Sequence, residues 1–205
     1  MVKAGRARAA DEALSAGSGT ESVRDRILNT ARELFYREGA RSVGVDTVVA
    51  QSGVAKTSLY RWFPSKDALI AAVIEEEAKD RWSGWDYNAQ RSPPDPREQL
   101  RAQLAGIAKF VSSPKYRGCP FMNVTVEFAD HQHPARLVAL EVMEELRRRV
   151  RALVDQIGVD EPAIVTDQIV MLVDGAFSSA QVFGKNGPQR LLVSAADALI
   201  DAHKK

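Results

Sequence analysis

The chain has 205 residues, 45% of them hydrophobic and 27% charged, which is enough for one or two domains with a substantial core. A net charge of +1 does not by itself announce a nucleic-acid binder, yet residues 1–66 hold 11 Lys/Arg against 7 Asp/Glu while the remainder holds 17 against 20, a basic first third on a mildly acidic body. One cysteine, Cys119, excludes an intrachain disulfide framework and points to a reducing interior.

Residues 1–20 carry Lys3, Arg6 and Arg8 followed by small polar residues. Nothing there resembles a signal peptide, so a flexible leader in a cytoplasmic protein is expected, with weak phosphate attraction by a basic arm as the alternative. Residues 21–38 predict a first helix, with Ser22 as N-cap, Asp25 three positions on, and Val23, Ile27, Ala31, Leu34 and Phe35 as its buried stripe. Gly39 is suited to end it in the left-handed conformation.

Residues 45–67 read as two short helices joined by a tight turn. Val45, Val48 and Val49 share one face, Leu59, Trp62 and Phe63 another, and Gly53 sits where the chain must bend. A short Gly-containing turn between two such segments is the helix-turn-helix pattern. The second helix presents Lys56, Thr57, Ser58, Tyr60 and Arg61, an unusual density of phosphate and base-edge donors for a solvated face. Pro64 ends that helix and Ser65 caps the next.

The run Gly53-Val54-Ala55-Lys56-Thr57-Ser58-Leu59-Tyr60-Arg61-Trp62-Phe63-Pro64-Ser65-Lys66-Asp67-Ala68-Leu69 closely resembles the DNA-binding domain of TetR-type transcriptional regulators. The resemblance covers roughly residues 23–69. It implies an all-α chain with a three-helix DNA-binding domain at 21–67 and a helical ligand-binding and dimerisation domain at 68–205. It also implies a homodimer on double-stranded DNA with a near-palindromic operator, and repression relieved by a small molecule. Carried over by position, Thr57 and Ser58 come near bases, Lys56 and Arg61 contact bases or phosphates, and Tyr60, Lys66 and Thr47 position the DNA backbone. Three positions depart from the family pattern: Gly44 and Ala55 lack the usual capping oxygens, and Trp62 stands where His is common.

A helix over 66–83 is predicted to connect the domains, with Leu69, Ile70, Val73, Ile74, Ala78 and Trp82 inward, followed by a polar loop at 84–96. Residues 97–112 are helical again. Arg117-Gly118-Cys119-Pro120 with Asn123, Glu127 and Phe128 resembles the entry to a central helix in one large subgroup of the same regulators. Cys119 among apolar neighbours reads as core filler. Glu127, Asp130, His131 and His133 invite a metal reading, but Asp130 to Pro134 read as a helix-breaking loop and no His recurs at helical spacing, so neither metal nor cofactor is expected. An enzyme using Asp130, His131 and His133 lacks a nucleophile and base constellation.

The longest periodic segment is 134–157, with Leu137, Leu140, Met143, Leu146, Val150, Leu153 and Ile157 recurring every three or four residues. Arg147, Arg148, Arg149 and Arg151 pair with acids on neighbouring turns. A helix at 162–183 is interrupted by Asp167, Gln168 and Asp174, which argues against a membrane span. Its small residues Gly175, Ala176, Ser178, Ser179 and Ala180 admit a close partner, so the last two long helices of each subunit are candidates for an intersubunit four-helix bundle. A final helix covers the core at 191–202. Trp82, Trp85, Phe110, Phe121, Met122, Phe128, Met143 and Phe177 are the candidate pocket residues, pointing to an apolar or aromatic effector.

Overall fold

The computed structural model describes residues 21–204, so the leader expected at 1–20 lies outside the described residues. Nine α-helices follow among them: α1 (Val23–Glu38), α2 (Val45–Ser52), α3 (Lys56–Trp62), α4 (Lys66–Arg91), α5 (Pro96–Val111), α6 (Pro120–Glu127), α7 (Pro134–Ile157), α8 (Pro162–Phe183) and α9 (Leu192–Ala202). Two 3₁₀ turns, Gly184–Asn186 and Pro188–Leu191, join α8 to α9. The described residues contain no strand, only an isolated bridge between Val159 and Lys204. The all-α expectation therefore holds.

Local chemistry sets most helix starts. Ser22 Oγ accepts the Asp25 N–H at 3.1 Å, and Ser65 Oγ accepts the Ala68 N–H at 3.0 Å. Asp95 caps α5 in the same way, with Pro96 as its first residue. Gly39 has φ 91° and ψ 139°, so it ends α1 with a positive φ, as expected, but outside the left-handed helical well. Gly53, with φ 64° and ψ 27°, makes the left-handed bend between α2 and α3. Leu59 and Phe63 are buried against α1, with Val48 beside them in the same core, whereas Trp62 is half exposed and leaves the predicted inner face.

The connecting helix is longer than predicted. It runs through Gly84 to Arg91 because the supposed loop finds partners on α5: Gln103 Nε2 donates to Trp85 O at 2.9 Å, and Asn88 Nδ2 donates to Gln103 Oε1 at 3.5 Å. One interior glycine costs the helix only about 1 kcal/mol, less than those contacts return. Ser92, Pro93 and Pro94 then stop it.

The body of the molecule is α4 packed on α7, with α5, α6 and α8 also against α7. The α7 core is Ala135, Ala139, Val142, Leu146, Val150, Leu153 and Val154. Leu137 and Leu140, which the sequence placed in one stripe with these, face outward because their helical phase falls to the side of the Ala139–Val142–Leu146 line. The segment Pro162–Asn186 is long and apolar enough by composition to cross a membrane, but it carries Asp167 and Asp174 and buries Val165, Ile169, Val173 and Phe177 in this core. It is a core helix with one outward apolar edge.

The polar turn expected before the next helix is present at 131–132, and His133 adds a cap to it. Its Nδ1 accepts the Ala135 N–H at 3.2 Å, so it is the N-cap of α7, and its ring stacks on Phe128 with centroids 3.9 Å apart. His131 is exposed at the turn and Glu127 serves another purpose, described below. No group of three metal-ligating side chains occurs among the described residues.

Candidate functional site

Two sites emerge, one on α3 and one beneath α4. On α3, Thr57, Tyr60 and Arg61 are exposed, Ser58 is half-buried, and Thr47 is exposed at the start of α2. Lys56 reaches back to Asp46, Nζ to Oδ1 2.7 Å, and the hydrogen bond to that carboxylate raises the ammonium's pKa. Asp46 is 81% exposed at its side chain, so the pair is solvent-screened and easily exchanged for a phosphate. Neither α2 nor α3 has a side-chain cap: Gly44 and Ala55 occupy the cap positions, and no side-chain oxygen takes the first N–H groups of α3.

Lys66 departs from the picture of an outward phosphate ligand. It is half-buried and donates to Arg41 O at 3.0 Å, and desolvation lowers its pKa. Its ammonium ties the start of α4 to the α1–α2 loop.

That loop is gripped from the other side as well. Glu127, last residue of α6, accepts the Arg41 N–H at 2.9 Å, while Arg41 Nη1 donates to Glu127 O at 3.0 Å. Gly39 is needed beside it, since a Cβ there would stand 3.3 Å from Glu127 Oε1 on a backbone at φ 91°. At the entry to α6, Tyr36 OH accepts the Arg117 N–H at 2.8 Å and Arg117 Nε donates to Arg37 O at 2.5 Å. Asp67 Oδ1 lies 3.4 Å from His133 Nε2 without hydrogen-bond alignment. Sequence reasoning missed these ties, although Arg117 and Glu127 both lay in the stretch it singled out.

The second site is an open-sided cavity of about 510 Å³ lined by residues of α1, α4, α5, α6, α7 and α8. Of the eight predicted pocket residues, Trp85, Phe110, Phe121 and Phe177 line it. Trp82, Met122, Phe128 and Met143 stand outside the wall, because other partners absorb them. Trp82 packs edge-on against Trp85 at 6.5 Å under the Arg149 guanidinium, Phe128 stacks on His133, and Met122 and Met143 fill gaps in the core. The polar wall residues escaped an aromatic-only reading. Among them Arg81 lies over the rings of Phe121 and Phe177, 4.7 Å and 5.2 Å from their centroids, with Nη2 3.6 Å from Cys119 Sγ. Glu77, Arg81 and Trp85 recur every fourth residue on α4, which was the available signal.

Cys119 is buried, and burial raises its thiol pKa against the opposing pull of Arg81. The thiol is therefore kept protonated, in line with a packing role.

Comparison with known proteins connects both halves. Residues 27–73 match the family model for bacterial regulatory proteins of the tetR family, and residues 96–196 match the tetracyclin repressor-like C-terminal domain. Among solved structures, SCO4454, a TetR-family transcriptional regulator from Streptomyces coelicolor, superposes with TM-score 0.84 at 30% identity, covering 89% of this chain and 96% of that one. The Streptomyces avermitilis protein sav143 gives 0.76 at 30% identity, with 89% and 98% covered. The HTH-type transcriptional regulator EthR of Mycolicibacterium smegmatis is 31% identical over 87 residues, a match spanning 42% of this chain and only 39% of EthR.

Proposed function

Because the chain belongs to the TetR family of bacterial regulatory proteins, we propose that it is a homodimeric, sequence-specific DNA-binding transcriptional regulator in the cytoplasm, released from a near-palindromic operator by a small molecule. The observation that carries this reading is the exposed donor set of Thr57, Tyr60 and Arg61, with Lys56 paired only to an exposed carboxylate, on a short helix fixed by Leu59 and Phe63. Thr47 adds a hydroxyl at the neighbouring helix start, and Ser58 contributes from the edge of the same face. Lys66 acts mainly by holding the Arg41 carbonyl, with phosphate contact as a second role on DNA.

Dimerisation is supported by Leu140, Met171 and Val182, which are 55%, 72% and 72% exposed on the outer edges of α7 and α8. With Gly175 and Ser178 on the same edge of α8, two copies pack closely, and recognition helices about 34–36 Å apart enter successive major grooves. Control passes through α6. Pro120 and Phe121 form part of the cavity wall, and Glu127 at the other end of the helix holds Arg41. A ligand that fits the cavity better when α6 is displaced pulls population away from the DNA-competent dimer; tight binding without that preference switches nothing.

The test is selection of bound duplexes from a random DNA pool, repeated with Lys56→Ala combined with Tyr60→Ala. An inverted repeat, lost in the double variant while helical content and dimerisation persist, supports the reading. A folded protein that enriches no sequence at low or moderate salt refutes it.

A further inference from the structure

The cavity's charges are unevenly matched. Its wall holds two carboxylates, Glu77 and Asp80, and Arg32 takes both, through Nε to Glu77 and Nη2 to Asp80 at 2.5 Å each. The wall's other cations, Arg81 inside and Lys109 toward the exposed rim, have no carboxylate at ion-pair distance among the described residues. Arg81 is held by the faces of Phe121 and Phe177, which fix a guanidinium without occupying its in-plane donors. One of those donors meets the Cys119 sulfur, a weak acceptor, and none meets a described oxygen. The nearby acid, Asp174, is not part of the wall; burial raises its pKa despite the pull of Arg81, and its Oδ1 has no partner.

Around Arg81 the remaining surface is mainly apolar: Trp85, Ile107, Phe110 and Leu146. Gly106 lets the Asn88 amide sit close against α5 at the edge of this surface, since a Cβ there would come 2.8 Å from Asn88 Nδ2. Resting on the reading of this cavity as the effector site, we propose that the effector is an organic anion, with a flat apolar body between Trp85, Ile107 and Phe110 and a carboxylate on Arg81. A planar carboxylate matches the free fork of the guanidinium, whereas a cationic or neutral head leaves Arg81 unsatisfied.

The probes are 2-naphthoate and 2-naphthamide, of the same body and differing in charge, titrated calorimetrically into the full chain up to millimolar concentration. The acid is expected to bind at least about tenfold tighter than the amide, as a charged hydrogen-bonded pair in a partly dry site requires. Arg81→Gln removes that advantage while amide binding persists, which also reports that the variant is folded; Arg81→Lys, a point charge without the fork, retains part of it. Equal binding of acid and amide, or an acid advantage that survives Arg81→Gln, overturns the anion proposal and leaves the cavity as the effector site. Absence of binding by either probe, or binding undiminished by Ile107→Trp, which puts an indole into the space assigned to the flat body between Trp85 and Phe110, overturns the cavity reading along with the proposal.

Discussion

Replacing Ala55 by Ser makes the uncapped start of α3 directly measurable. Ala55 already has the N-cap backbone, φ −71° and ψ 142°, and its carbonyl accepts the N–H groups of Ser58 at 2.9 Å and Leu59 at 3.2 Å. What is missing is a side-chain oxygen for the first turn. Ser22 and Ser65, in similarly extended conformations, supply one to α1 and α4. Ala at an N-cap is about 1 kcal/mol worse than Ser, whereas Gly is worse by only a few tenths. For a chain of this size that corresponds to a rise in Tm of about 2–4 °C for Ala55→Ser. Gly44→Ser, at the start of α2, is expected to raise Tm by less than about 1 °C. Differential scanning calorimetry of both variants at constant protein concentration decides. No rise for Ala55→Ser, or a larger gain for Gly44→Ser, refutes the reasoning.

Lys56→Ala removes one exchangeable phosphate partner per subunit, so the slope of log K against log salt on operator DNA should shallow by about one unit per subunit, measured by fluorescence anisotropy at several salt concentrations. Burial raises the pKa of Asp174, so the folded state disfavours the charged form. Stability is then full below the ordinary carboxylate pKa and is lost as pH rises through the raised one. Asp174→Asn should accordingly melt higher than wild type at pH 7.5, with the difference vanishing at acid pH; a constant difference contradicts the assignment. The Cys119 thiol should react with an aromatic disulfide reagent at neutral pH far more slowly in the native protein than in denaturant, since burial both shields it and keeps it protonated.

The parts of the fold legible in the sequence are those governed by neighbours in the chain. Ser22, Ser65 and Gly53 each act within four residues of themselves, and the starts of α1 and α4 and the bend between α2 and α3 follow from them. The end of α4 was not legible, because Gly84 and the polar residues after it resemble a loop until Gln103, eighteen positions beyond Trp85, supplies the partner. His133 as a cap depends on the ring of Phe128, which polar patterning does not register. The same holds in the cavity. Helical phase brought Trp85, Phe110, Phe121 and Phe177 to one space, but an aromatic residue satisfied by a cation or an imidazole, like Trp82 or Phe128, looks identical in sequence. Arg81 escaped because a charged residue on a helix is read as solvated unless its partners are known.

The central claim is that two copies of α3 read DNA from one face, and hydroxyl-radical footprinting of the selected duplex tests it most directly. Two protected patches on the same face, with centres about one helical turn or 10–10.5 base pairs apart, are the predicted result, with both weakened together by Lys56→Ala plus Tyr60→Ala. A single protected half-site, or patches on opposite faces of the duplex, contradicts the account.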